Sequence, residues 1–466
     1  MLRATIAAER AGIPAAAIIA TQFLPFARAV ARSLGATDPV IVEYPGAPMN
    51  DSYEQLRDKV ANVLVPKILE GWSKRSNTGA TPQAMQEPQP GDSVFKGTLQ
   101  QVQDHFYDNL WTDGLPVIPP TVAKVAEFLR FTERAPDDVL GICQPECREA
   151  TIWNIAVNGV MAGCRPEYMP VLIALVEAIL APEFLLEDAG ATPGWEPLIV
   201  ISGPIIKELD FNSGGGVMRV GRRANTSIGR FLRLYMRNVP GQRIPPGTTD
   251  KATTGMTFNV VMAENEDFVD TLGWPTFGID RGYARDENIV TVRSCVSMSQ
   301  PTFSAGKDPN NHAQIMAEVV GQMFAYWSYT GIRHTKWHPL ILLSPSLAKV
   351  FADGGWNKDH IRKYLYDNVR ITAANVEKYA HNSSSPYYSL KDFVEQGKVL
   401  PEYHTSDDPN RLVRVFVKAE WIDIVVAGDP GRNQSRGYVQ SHRQGVPVSK
   451  RILLPGHWKQ SLGLAQ

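Results

Sequence analysis

Apolar and polar positions recur with two different periods along this chain, and the changeovers between them predict its elements. Over the first seventy residues helix and strand signals alternate: a helix through Glu9 and Arg10, a strand at Ala15–Ala20, a helix from Gln22 to Leu34, a strand at Val40–Tyr44 and a helix around Tyr53–Glu70. Two short apolar strands joined by a helical crossover make a βαβ unit, which should be parallel and right-handed. Two parallel strands leave both faces and both edges uncovered, so this segment is expected to dock on something else, either the rest of the chain or strands that are missing.

Residues 73–93 are polar and turn-forming, with no apolar period, and read as a linker. From residue 94 onward the periods mix without a repeat. Helices are expected at Leu99–Leu110, Val122–Phe131, Thr151–Ala162, Pro166–Leu180, Thr226–Asn238, His312–Tyr329 and Lys358–Val369. Strands are expected at Pro197–Ser202, Phe258–Ala263, Ile289–Arg293, Leu340–Leu343, Leu412–Val417 and Ile422–Ala427. The economical reading is an α/β or α+β fold: a βαβ segment over residues 1–72, docked on a large domain over residues 94–466 that carries a mixed sheet with helices.

Composition narrows the function classes. With 466 residues, 44% hydrophobic and 20% charged, the chain can bury a large core. The balance of 47 basic against 48 acidic residues supplies no field for nucleic acid or an anionic membrane. Ala15–Ala20 is apolar, but Glu9, Arg10 and Pro14 interrupt its approach and no A-x-A site follows, so a signal peptide is not expected. No run approaches the roughly 20 apolar residues of a membrane span. Four cysteines are too few for a disulfide scaffold, and reduced thiols in the cytoplasm are expected.

Several stretches resemble a known family. Ala8-Glu9-Arg10-Ala11-Gly12-Ile13-Pro14, running into Ala15–Ala20, resembles the region just after the reactive motif in bacterial proteins named for a Sec-Gly-Ser-Cys (UGSC) signature. More distantly, it resembles the substrate-reducing subunit of glycine and betaine reductases. Residues 111–121 (WTDGLPVIPPT) and 160–168 (VMAGCRPEY) look like the long second region of larger members. In the family the Sec-Gly-Ser-Cys or Cys-Gly-Ser-Cys motif precedes the first helix, whereas here Met1 falls where that helix is under way. Selenocysteine is encoded by UGA, which reads as a stop, so codons for the motif are expected upstream in the same frame. The alternative is a member without the motif. The resemblance implies thiol or selenol redox chemistry.

Within the chain, Cys164 stands between Gly163, suited to ending a helix, and Pro166, suited to starting one. A helix N-terminus and Arg165 would lower its pKa, with Glu167 opposing; a packed structural cysteine is the plainer reading. Cys143 and Cys147 form a C-x3-C pair about seventeen residues before Cys164, so that three thiols could form a redox pair with a resolving sulfur or hold a metal. Cys295, on a strand, is expected in the core. The Gly-rich run Asn212-Ser213-Gly214-Gly215-Gly216, with Arg222, Arg223, Asn225 and Thr226 leading into a helix, suits a carboxylate or phosphate. Neither a Walker loop nor a dinucleotide fingerprint is present. Asp113, in a stiff proline-rich loop, can line a pocket, and the turn Gly428–Arg432 is a second ligand loop or a plain turn. Glu264 at a strand end is a possible acid or base. His334 and His338 have the i, i+4 spacing of a metal pair, which Pro339 makes doubtful, and His312 at a helix start is more often structural. Neither H-E-x-x-H nor G-x-S-x-G occurs.

These readings converge on a cytoplasmic thiol- or selenol-dependent oxidoreductase acting on a small anionic molecule. The reactive group is expected at the carboxyl ends of the N-terminal strands, near Thr21–Phe23 and Tyr44–Asn50, with Cys164 as a second thiol and Arg222 with Asn225 on the substrate. A non-redox cysteine enzyme, a metalloenzyme using Cys143 and Cys147, and a silent partner subunit are the alternatives. A partner chain or a homo-oligomer is compatible with each, and the sequence names no cofactor.

Overall fold

The computed structural model describes residues 2–33, 36, 38–48, 51–75, 89–189, 194–244, 255–258, 260–334, 337–383, 385, 387–441 and 446–463. The sequence expectation of a mixed α/β architecture holds. In the N-terminal segment the strands Ala17–Ala20 and Ile41–Tyr44 pair in parallel, with helix Leu24–Ser33 crossing between them. Helix Leu2–Arg10 covers one face through Leu2 and Ile6, which pack with Ala17, Ala27 and Ala31. Leu64 and Ile68 cover the other over Val40, Val42 and Tyr44. Both small cores are built from the segment's own side chains. Of the predicted linker, residues 76–88 lie outside the described residues.

In the larger part, Glu196–Ser202 lies between Ile289–Cys295, antiparallel to it, and Met262–Ala263, parallel to it. Leu340–Leu343 lies between Asp423–Val426, parallel, and Gln434–Val439, antiparallel. The two groups join at both margins. On one side the Asn265 N–H donates to Val426 O at 2.8 Å. On the other, Ile289–Cys295 continues through Val296, whose N–H donates to Val439 O at 2.9 Å, into Ser297–Met298, which pairs antiparallel with Gln434–Val439. The ring of strands therefore closes into a small barrel.

Strand alternation assigns the two faces. Leu198, Val200, Met262, Cys295, Leu340, Val425 and Tyr438 share one interior cluster with Phe258 and Phe277. Their neighbours Ile199, Ile201, Val292, Ile341, Leu343 and Ile424 face outward into a larger cluster with the helices. Ile152–Ala162, Met169–Leu180 and Arg223–Asn238 pack together on the outside, and Met169–Leu180 is buried along nearly its whole length. Each Leu or Ile so buried contributes about 1.5–3 kcal/mol. No single helix among the described residues is long and apolar enough to cross a membrane.

Some expected strands shrink. Phe258–Ala263 is a strand only at Met262–Ala263, and Leu412–Val417 only at Leu412–Arg414, which pairs with Arg370–Thr372 away from the barrel. The hairpin Val139–Cys143 with Arg148–Thr151 and the barrel strand Gln434–Val439 went unpredicted. The last is polar at Gln434, Ser435 and Arg436, and it carries Gly437. A Cβ there would sit 2.7 Å from the Phe324 ring and from Val320, so the missing side chain is what lets the helical stretch behind it approach.

Candidate functional site

Four parallel strands, Glu196–Ser202, Met262–Ala263, Leu340–Leu343 and Asp423–Val426, end together at one rim of the barrel. Beside this rim starts helix Arg223–Asn238, and its first two turns gather most of the residues singled out in the sequence. Asn225, fully buried, accepts from the Asn212 N–H at 2.8 Å and donates to Asn212 O at 3.0 Å and Val261 O at 2.8 Å. Thr226 Oγ1 accepts from the Gly221 N–H at 3.1 Å. Arg222 binds Asp210 at 2.7 Å, and Arg223 Nε donates to Gly163 O at 3.3 Å. Two turns on, Arg230 grips Asp113 with two bonds of 2.8 Å and donates to Pro116 O at 2.9 Å. The Gly-rich loop, the proline-rich loop and the 160–168 stretch are thereby anchored to one helix face.

Two assignments change. Asn225 spends both of its side-chain donors and one acceptor site on the backbone and fixes the Gly-rich loop instead of holding substrate. Asp113 is taken by Arg230: burial acts to raise its carboxyl, but the guanidinium outweighs this and holds it below the usual range. What remains for a ligand is the helix start. Arg222 is the N-cap and gives no side-chain cap, whereas Thr98, Thr121, Thr151, Ser344, Asn357 and Ser389 all cap their helices. Uncapped amides, two exposed arginines and the exposed Gly215 beside them, with Asn212, Ser213 and Gly214 half-buried at the base of the loop, form an anion-binding arrangement. The turn after Val426 joins it, since the Gly428 N–H donates to Ser213 O at 2.9 Å.

The cysteines depart furthest from expectation. Gly163 does end its helix in the left-handed region, φ 80°, and Pro166 does open the next turn. Yet Cys164 is buried under Ser227, Arg223 and Arg230, and burial pushes its thiol up to about 12, the hydroxyl and both arginines offsetting only part. Arg165 gives no net help because it is paired with Glu167. Cys143 is also buried, 3.7 Å from the Tyr235 hydroxyl, and burial raises it to about 11. Ser227 and Tyr235 are eight positions apart on one helix, a rise of about 12 Å, so Cys164 and Cys143 do not form a pair. Cys147 is exposed on the hairpin turn in the left-handed region, φ 57°. All four cysteines are free, and Cys295 lies in the barrel core as expected.

Glu264 is fully buried, accepting from the Phe277 and Val426 N–H groups and facing Lys358 Nζ at 3.5 Å. Burial raises its pKa against those partners. It ties the barrel seam and has no access to a substrate. Helix Gly321–His334 stops short of His338, which removes the i, i+4 alignment of the two histidines. Among the described residues no group of three His, Cys, Asp or Glu side chains is placed to hold a metal.

In the N-terminal segment the strand ends do carry a polar cluster that sequence reasoning placed only by position. Thr21 Oγ1 donates to Glu43 at 2.7 Å, Tyr44 donates to Asp51, and Lys59 Nζ binds Asp51 at 2.6 Å and Pro45 O at 2.8 Å. The Asp51 bond raises the Tyr44 hydroxyl to about 12. Met49 and Asn50 lie outside the described residues. The chain thus combines a parallel βαβ segment with a helix-clad barrel. Residues 1–74 match the model of the UGSC family, so this segment is UGSC-like. No curated protein and no solved structure matches the chain.

Proposed function

We propose that the protein is a cytoplasmic enzyme of thiol- or selenol-dependent oxidoreduction that holds a small anionic substrate at the start of helix Arg223–Asn238. The observation that carries the binding half is the uncapped N-terminus of that helix, flanked by Arg222, Arg223 and the Gly-rich loop. A carboxylate or phosphate there gains the helix amides, the positive end of the macrodipole and two guanidinium groups. The redox half rests on the UGSC match and on the polar cluster at the ends of the two N-terminal strands. Cys164 supports the site from beneath as a neutral thiol and is not its nucleophile. The reductase label itself comes from the resemblance.

Calorimetric titration with phosphate, acetate and glycolate tests the binding half. Saturable binding of at least one anion is expected, weakened about tenfold or more by Arg223→Ala, the loss typical of a charge-assisted hydrogen bond. Binding equally strong in Arg222→Ala, Arg223→Ala and the double variant would overturn it.

A further inference from the structure

On the same rim of the barrel, among residues that take no part in the anion site, lies a serine–histidine pair. Strand Thr302–Phe303 pairs with Gln434 and Ser435, and the Ser304 N–H that follows donates to Asn433 O at 3.4 Å. This seats Ser304 against the turn 428–433, which touches the Gly-rich loop through Gly428. Helix Pro309–Ile315 then returns His312 beneath it, 1% exposed. Nδ1 of His312 lies 2.6 Å from Ser304 Oγ, and Nε2 lies 3.0 Å from Gly306 O.

These two contacts fix the chemistry of the ring. A carbonyl oxygen only accepts, so Nε2 carries the hydrogen and donates it to Gly306 O. In the neutral imidazole Nδ1 is then bare, and it accepts the Ser304 hydroxyl proton. Phe351 packs against the ring, 6.3 Å between centroids, and holds its plane. The nucleophile, its base and the group that orients the base are thus in place, with a backbone carbonyl as the orienter. Ser304 is only half-buried, and Ala305, Gly306 and Lys307 after it are exposed. Among the described residues their amides have no protein partner, which leaves donors beside the nucleophile for a developing oxyanion.

We infer that Ser304 is an acyl-accepting nucleophile activated by His312, acting on an ester of a small carboxylic acid. Ser304 Oγ attacks the ester carbonyl carbon and its proton passes to Nδ1. The C–O bond to the leaving alcohol breaks, and that alkoxide takes the proton from Nδ1. Water, deprotonated by the same nitrogen, releases the acid and restores the serine. This activity goes beyond the anion site and stands without it.

The test uses the full chain, a fluorophosphonate probe and p-nitrophenyl acetate. The probe should form one serine adduct, mapped by peptide mass spectrometry to Ser304, and the ester should give a burst of nitrophenolate stoichiometric with protein. Ser304→Ala should abolish both. His312→Gln should slow labelling by about 100-fold or more, the scale of a lost general base, in protein that still melts cooperatively. Ser304→Ala carries the test should His312→Gln fail to fold. The inference is overturned if the wild-type protein takes up no probe at Ser304 over hours, or if Ser304→Ala cleaves the ester as fast as the wild type.

Discussion

Cys164 illustrates how local charge loses to desolvation. Arg223, Arg230 and Ser227 all favour a Cys164 thiolate, and burial still drives the group to about 12. At neutral pH the thiolate is then a very minor form, so iodoacetamide should modify the exposed Cys147 and leave Cys143, Cys164 and Cys295 intact until the chain unfolds. Peptide mass spectrometry over time reads this directly, and rapid alkylation of Cys164 at pH 7 contradicts it. His338 gives a second residue-scale test. Burial lowers it to about 4, with Asp423 opposing and Arg293 and Arg281 assisting. The folded state therefore resists protonation that the unfolded chain accepts near 6.5. Stability is full above that value and falls as pH drops from about 6.5 to about 4, by about 1.4 kcal/mol per unit at most. Melting temperatures across this window should decline less steeply in His338→Gln.

At the scale of elements, the sequence was readable wherever one period ran long enough. The helices Leu99–Asp108, Val122–Leu129, Ile152–Ala162, Arg223–Asn238 and Lys358–Asn368 and the strands Glu196–Ser202, Ile289–Cys295 and Leu340–Leu343 were all anticipated to within a few residues. What escaped were strands whose pairing is set by distant chain. Gln434–Val439 lacks an apolar alternation because its neighbours and the helix behind Gly437 supply the packing. The candidate site divided the same way. The Gly-rich loop and the arginines were visible as residue types, but the roles of Asn225 and Asp113 depend on partners 13 and 117 positions away. The Ser304–His312 pair had no sequence motif, being made by a loop that folds back over eight residues. Gly203 shows what such junctions demand. At φ +103°, a Cβ there would lie 2.3 Å from Glu287 O, a backbone atom that has no rotamer to yield. Gly203→Ala should cost about 2 kcal/mol or more, read by urea denaturation.

For the whole molecule, the apolar clusters separate into two sets. Those of the UGSC-like segment contain only residues between 2 and 68, and those of the barrel and its helices begin at Val102. Calorimetry should therefore resolve two unfolding events, with the larger transition unchanged when residues 1–75 are removed. The barrel has its own weak point. Lys358, 1% exposed, faces Glu264 and Asp280, and Glu264 in turn binds Val426 across the seam. Lys358→Met should cost about 3–5 kcal/mol in the larger transition by removing the cation contacts that Lys358 makes, which leaves Glu264 buried and unopposed while Asp280 keeps Arg362. A loss under 1 kcal/mol would show that the seam holds without them.

That seam also sets an order of events during synthesis. Met262–Ala263 waits for Asp423–Val426, and Val296 waits for Val439, so each closing contact spans well over a hundred residues. The ribosome must deliver the chain as far as Val439 before the ring can shut, and until then two apolar sheet margins stand open. The rim that carries the two candidate sites consequently forms only after that late chain has emerged, and a nascent chain stalled before residue 423 is the form most in need of a chaperone.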